Sequence, residues 1–169
     1  MADFNFQNLT IPIREKMISE INSDIQNHKL YISTRLNEEG KLNFPDLLKK
    51  SALNETEKEL SENLQEFFNL KEEVNGKLKK VPSNASVLLS QSEFDRFYIR
   101  AVCLEAIKKG DEVVEVYRAR DSSWSRAESE ALIGTQINAS ELLTDLRDNI
   151  GVAPRLLPEI NSGLSVKLI

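Results

Sequence analysis

Five arginines in the second half of the chain could together bind an anion. They are Arg96, Arg100, Arg118, Arg120 and Arg126. A guanidinium group presents a planar fork of N–H donors that matches the oxygens of carboxylate and phosphate groups. If the helix and the strand that carry these residues pack as neighbours, four or five guanidinium groups would converge on one surface. The pattern predicts a site for phosphate or for an acidic peptide.

The segment that follows these arginines would complete such a site. Ser123 adds a hydroxyl donor, and Trp124 offers a stacking surface for a partner. Arg126 begins the next predicted helix, whose free N–H groups and positive dipole end favour an anion. As a hypothesis, we assign anion binding to Arg96, Arg100, Arg118, Arg120, Ser123 and Arg126, and partner binding to Trp124.

The alternative is that the arginines form ion pairs inside their own fold. Glutamates are close to them in the sequence, at Glu93, Glu112, Glu115, Glu128 and Glu130. Clustered charges also occur in purely structural ion-pair networks, so a cluster of charges is not by itself evidence of a functional site. Arginines around an open cavity would favour the anion site, and arginines paired with glutamates under a closed surface would favour the structural role.

The residues required by several common catalytic and cofactor sites are missing from the sequence. One histidine, His28, and one cysteine, Cys103, cannot assemble a zinc site of the Cys/His type. Neither a phosphate-binding loop nor a dinucleotide fingerprint is present. Cys103 has apolar neighbours in a predicted helix, which is typical of a buried, unreactive thiol. We predict no cofactor and no metal, and we assign no catalytic residue.

Composition indicates a folded protein, because 40% of the residues are hydrophobic and 29% are charged. The net charge of -5 argues against a general attraction to nucleic acid, although the arginine patch leaves a local contact open as an alternative. No apolar run approaches the ~20 residues of a membrane span. The N-terminal segment lacks the features of a secretory signal. We expect a small, acidic, soluble, cytoplasmic protein that does not enter a membrane.

The N-terminal half is predicted to be mainly helical. A first helix covers residues 11–28. Residues 29–36 are predicted to be extended, with a helix over residues 30–36 as the alternative, and residues 41–44 to form a second short strand. Pro45 then opens a short helix over residues 46–53. A long second helix starts at the cap Asn54 with Glu57, and its apolar stripe at coiled-coil spacing consists of Leu60, Leu64, Phe67, Val74 and Leu78.

The C-terminal half is predicted to combine helices and strands. A helix over residues 92–109, capped by Ser90, is apolar on most sides and should be central to the core. A strand over residues 112–120 follows it. Capping boxes that begin at Ser125 and Asn138 open two further helices. Residues 164–169 alternate as a strand should, and we expect them to pair with the strand at 112–120.

A boundary between the two halves is predicted at residues 81–86, because the basic residues change there. Residues 1–80 contain ten lysines and two arginines, and residues 81–169 contain three lysines and seven arginines. The fold class predicted is α+β: a helical region or arm at 1–80, then a small sheet flanked by helices at 87–169, with one shared core as the alternative.

The function predicted from these exclusions is non-enzymatic binding of another macromolecule, a protein. The alternative is an arginine-lined anion site for a nucleotide or a phosphate ester, with catalysis left open.

Overall fold

A long central helix, α4 (Ala85–Lys109), organises the fold. The computed structural model describes residues 3–121 and 127–169. Helix α4 is buried over most of its length because helices and the sheet pack around it. The predicted central position is confirmed, but the predicted start at Ser92 with Ser90 as its cap is wrong. Ala85 and Leu89 are buried, so the first turns gain packing that the serines in their sequence do not signal.

Three helices precede α4: α1 (Ile11–Gln26), α2 (Glu38–Asn54) and α3 (Glu57–Leu64). The first was predicted almost to the residue. The predicted strand at 41–44 and the predicted helix start after Pro45 are wrong, because α2 begins before them. The side chain of Asn37 caps α2 by accepting a hydrogen bond from the backbone N–H of Gly40 at 2.7 Å. Pro45 therefore lies inside the helix.

The predicted long second helix is also wrong beyond Leu64. A hairpin replaces its second half, with β1 (Lys71–Val74) antiparallel to β2 (Lys77–Lys80). The connecting residues Asn75 and Gly76 have φ values of 53° and 76°. Left-handed conformations at both positions are the requirement of the tight hairpin turn that Asn-Gly favours. Of the predicted apolar stripe, Leu60 and Leu64 therefore lie in α3, and Val74 and Leu78 lie in the hairpin.

The cap of α3 also differs from the prediction. Its capping box uses Thr56 and Glu59 rather than Asn54 and Glu57. The backbone N–H of Thr56 donates to the Glu59 carboxylate at 3.0 Å.

A three-stranded sheet covers α4 on another side. Strand β3 (Val113–Arg118) lies between β4 (Gln136–Asn138) and β5 (Leu164–Lys167), and both neighbours are antiparallel to it. The predicted pairing of the last strand with β3 is confirmed. Strand β4 was not predicted, because three residues are too short to show an alternation.

Two short helices, α5 (Ala127–Leu132) and α6 (Ala139–Asp148), complete the part of the chain that the structure describes. The predicted cap of α6 is confirmed, since Asn138 Oδ1 accepts from the backbone N–H of Glu141 at 2.9 Å. The predicted cap Ser125 lies outside the described residues. The fold is α+β, with helices that flank a small sheet, as predicted.

The main hydrophobic core contains side chains from both sides of residues 81–86. Met17 and Ile21 of α1 belong to the same buried cluster as Phe94 of α4 and Val166 of β5. The predicted division into two domains stays a prediction. Within the described residues, no helix has the length and the apolar character that crossing a membrane requires.

Candidate functional site

Helix α4 carries four charged side chains that are almost completely buried: Glu93, Asp95, Arg96 and Arg100. Their relative exposures are 3%, 0%, 7% and 2%. Removing a charge from water is costly unless it is paired and hydrogen-bonded. The partners of each side chain therefore indicate whether it serves the structure or faces a ligand.

Arg100 serves the structure. Its guanidinium binds Asp24 of α1 through two parallel hydrogen bonds of 2.8 and 2.9 Å, and its Nε donates to Glu20 at 2.9 Å. Arg147 of α6 binds the same Glu20 carboxylate at 2.9 Å. Burial by itself would raise the pKa of Glu20, but the hydrogen bonds from Arg147 and the charge of Arg100 lower it overall. This network connects α1, α4 and α6.

Arg118 and Arg120 also have partners within the fold. Arg118 pairs with Glu130 at 2.7 Å and donates to the carbonyl of Ser162 at 3.3 Å. Arg120 is 8% exposed and donates to the side chain of Gln91 and to the carbonyl of Asn161. Arg118 thus forms an ion pair with one of the predicted glutamates, and the two contacts named for Arg120 go to neutral groups.

The four predicted arginines within the described residues therefore contact different parts of the fold. Arg96 alone among Arg96, Arg100, Arg118 and Arg120 lines the cleft described below. Ser123, Trp124 and Arg126 lie outside the described residues, so the part of the hypothesis that concerns them stays a prediction.

A polar cleft of about 270 Å³ opens beside the first half of α4. We call it the Glu93 cleft. Helix α4, the segment after α1, the segment before the hairpin and the loop after α6 all contribute to its walls. The polar and aromatic lining residues are Tyr31, Ser33, Thr34, Arg35, Phe68, Ser92, Glu93, Arg96 and Asn161.

Glu93 is the chemically distinctive group of this cleft. Burial raises the pKa of its carboxyl to about 7, although the charges of Arg96 and Arg100 act in the opposite direction and Asp24 raises it further. Its carboxylate is 3.3 Å from Nε of Arg96, one helical turn away. That Nε has no hydrogen-bond partner, so the contact is an ion pair without an aligned hydrogen bond. A carboxyl that titrates near neutrality in a cleft is a recognised marker of a functional site.

Arg96 holds one wall of the cleft in place. Its Nη1 donates to the carbonyl of Asn149 at 2.8 Å, and its Nη2 donates to the carbonyl of Val152. Both terminal nitrogens of its guanidinium are therefore engaged by the loop after α6. The side chain positions this loop against α4 and keeps a positive charge beside Glu93.

Gly151, in the same loop, allows Tyr31 to lie close to the backbone. A Cβ at position 151 would come within 2.5 Å of the Tyr31 ring, and the φ of Gly151 is +71°. Both facts favour glycine, because the left-handed region is costly for other residues and the space is already filled. Tyr31 contributes to the same cleft.

Asp95 has a different environment on the sheet side of α4. It is fully buried, and the hydroxyl of Ser165 donates to its carboxyl at 2.6 Å. Burial raises its pKa well above the usual value of 3.8. Burial of a carboxyl with one hydrogen-bond donor favours its neutral form.

From the sequence, Glu93 was predicted to be an ion-pair partner, and no role was predicted for Asp95. One signal could have found both. The helix that contains them was predicted to be apolar on most sides, and acidic residues on such a helix must be buried or paired. Tyr31, Ser33 and Arg35 had no comparable signal, because an irregular segment brings them to the cleft.

Within residues 3–121 and 127–169, no group of three or more His, Cys, Asp and Glu side chains is placed to hold a metal ion. Comparisons of the chain with protein-family models, with curated proteins and with solved structures found no match.

Proposed function

We propose that this chain binds a small polar ligand in the Glu93 cleft. The observation that supports the proposal is a carboxyl only 3% exposed that nevertheless forms part of the wall of a cavity. Among the described residues, only Arg96 places a cationic nitrogen within 4.0 Å of it. A ligand could donate to Glu93 the aligned hydrogen bond that Arg96 does not provide. Convergent polar groups in a pre-formed concave site are the usual features of a small-molecule site.

The size of the cleft also favours a small ligand over a macromolecule. Its volume of about 270 Å³ lies just below the ~300–1,000 Å³ that is common for ligand pockets. The bidentate anchoring of the loop by Arg96 and the contact between Gly151 and Tyr31 keep the walls in place without a ligand. A pre-organised site loses less entropy when its ligand binds.

The test is a fragment screen monitored by NMR. Isotope-labelled protein is titrated with small amines, guanidines, carboxylates, phosphates and neutral amides. We expect the largest shifts at backbone amides of residues 31–35, 92–96 and 151–152. A variant with the cleft filled, Ser92→Trp, should lose these shifts, whereas Ser19→Trp on the exposed face of α1 should keep them.

Thr34→Trp provides a second blocking variant at an exposed position, in case Ser92→Trp does not fold. Shifts that persist unchanged in a folded blocking variant, or a screen without hits in the cleft at millimolar concentration, would refute the proposal.

Binding to another protein and a cytoplasmic location, both expected from the sequence, stay predictions. The same holds for catalysis at an arginine-lined site.

A further inference from the structure

We infer that the ligand of the Glu93 cleft presents an organic cation, a guanidinium or an ammonium group, to the Glu93 carboxylate. This inference rests on the proposed function and specifies the class of ligand. It depends on which polar groups of the cleft are already engaged, on the aromatic side chains of its wall and on its size.

Arg96 and Arg35, which both line the cleft, each have a partner within the fold. Both terminal nitrogens of Arg96 donate to the main-chain carbonyls of Asn149 and Val152. The Nε of Arg35 pairs with Glu72 at 3.0 Å. An anionic ligand that needed the fork of Arg96 would have to displace the loop after α6. Recognition of an anion by the fork of Arg96 is therefore disfavoured, because it would break contacts that the fold already makes.

Glu93 is the hydrogen-bond acceptor that the cleft offers to a ligand. Glu93 accepts no aligned hydrogen bond from Arg96, and among the described residues that line the cleft it is the one carboxylate. The hydroxyls of Thr34 and Ser92 in the same wall can accept as well as donate. A group with several N–H donors and a positive charge matches this set, because charge-assisted hydrogen bonds to a carboxylate are the strongest that such a site can make.

Two aromatic side chains in the wall add to this match. Tyr31 and Phe68 both line the cleft. An aromatic ring attracts a cation through its quadrupole, and the attraction is larger when the cation is removed from water. A buried carboxylate together with aromatic side chains is a combination suited to guanidinium and ammonium groups. The volume restricts the ligand to a small molecule or to the end of a larger one.

The experiment compares matched probes at pH 8, where Glu93 is ionised. Butylguanidinium and butylurea have the same shape and differ in charge; butylammonium and inorganic phosphate complete the set. We expect the two cations to bind in the cleft with Kd values on the order of 1 mM, as small fragments do. Butylurea should bind at least about tenfold more weakly, because it lacks the charge.

Variants locate the effect at one carboxylate. Glu93→Gln should weaken binding of butylguanidinium by about tenfold or more, since it removes the charge and keeps the size. Glu15→Gln is the matched control, because it changes the net charge equally at an exposed position of α1. The comparison of butylguanidinium with butylurea in the unmodified chain holds even if Glu93→Gln does not fold.

Equal binding of butylguanidinium and butylurea, or equal binding of the cation to Glu93→Gln, would overturn the inference. Phosphate binding in the cleft that becomes stronger in Glu93→Gln would overturn it in favour of an anion. In each of these cases other fragments in the cleft would still support the proposed function. A cleft that binds no fragment at all would refute both.

Discussion

Glu93 combines burial, an adjacent positive charge and access to a cleft. Its pKa of about 7 compares with 4.5 for an ordinary glutamate, so the folded protein holds a proton that the unfolded chain releases between these values. The free energy of unfolding should therefore fall as the pH rises from about 4.5 to 7. The groups that face the carboxyl are Arg96 and Arg100, which favour its charged form, and Asp24, which opposes it.

The first prediction follows from this proton. Glu93→Gln removes the titrating group, so the loss of unfolding free energy with rising pH should disappear. Between pH 5 and pH 8 the unfolding free energy of the variant should therefore rise by about 3 kcal/mol relative to that of the unmodified chain. Urea unfolding at the two pH values measures the difference. Asp95 is present in both proteins, so its own pH dependence cancels. A stability difference between Glu93→Gln and the unmodified chain that is the same at pH 5 and pH 8 would contradict the raised pKa. Glu15→Gln is the control, and its stability difference from the unmodified chain should not change between the two pH values.

Cys103 is a second buried titratable group, and unlike Glu93 it is not among the residues that line the Glu93 cleft. It is fully buried, and burial raises the pKa of its thiol to about 12. Because the thiolate is the reactive form, we predict that thiol reagents label it only when the protein unfolds. The labelling rate at pH 8 should rise with urea in parallel with the unfolded fraction. Prompt labelling of the native protein would contradict the burial of this side chain.

At the scale of the elements, the segment of residues 4–8 packs against the rest of the fold. The backbone N–H of Asn5 donates to the carbonyl of Ala119 at 2.7 Å, and that of Asn8 donates to the hydroxyl of Tyr98 at 2.7 Å. The ring of Phe6 lies 4.9 Å from that of Phe94. This segment packs against the side of α4 that carries Tyr98.

We predict that Phe6→Ala lowers the free energy of unfolding by about 2 kcal/mol, somewhat less than for a fully buried phenylalanine. Gln7→Ala is the control, because its side chain is exposed and its backbone contacts remain. Thermal unfolding followed by circular dichroism measures both. A loss of stability that is equal in the two variants would show that the segment acts through its backbone alone.

At the scale of the whole molecule, buried charges connect parts of the chain that are distant in sequence. Arg100 lies 76 residues from Asp24 and 80 from Glu20, and all three are buried. The hydrophobic core is continuous across the same interface. These contacts link the two predicted regions, 1–80 and 87–169.

We therefore predict that the fragment of residues 87–169 does not unfold cooperatively by itself. It would leave Arg100 without its carboxylates, and breaking a buried ion pair on one side costs about 3–5 kcal/mol. It would also begin inside α4. Urea unfolding of the fragment, compared with the full chain, is the measurement. A cooperative transition of the fragment would restore the boundary at residues 81–86.

Local signals in the sequence determined several elements of this protein. The cap at Asn138, the start of α1 near Pro12 and the end of α4 at Gly110 depend on contacts within a few residues, so composition and spacing suffice to predict them. The pairing of β5 with β3 was also predictable, because each strand has a readable pattern of apolar residues. The α+β class follows from these elements.

Only the tertiary structure decided the rest. Residues at helical spacing were divided between α3 and the β1–β2 hairpin, because the Asn75-Gly76 turn outweighed the periodicity. Arg96 and Arg100 are one turn apart on the same helix, yet one anchors a loop and the other pairs with α1. The partners of a buried charge are chosen by which distant segments pack beside it, and no local pattern encodes that choice. For the same reason Glu93 became the candidate site, since its pKa depends on burial that the chain acquires only when it folds.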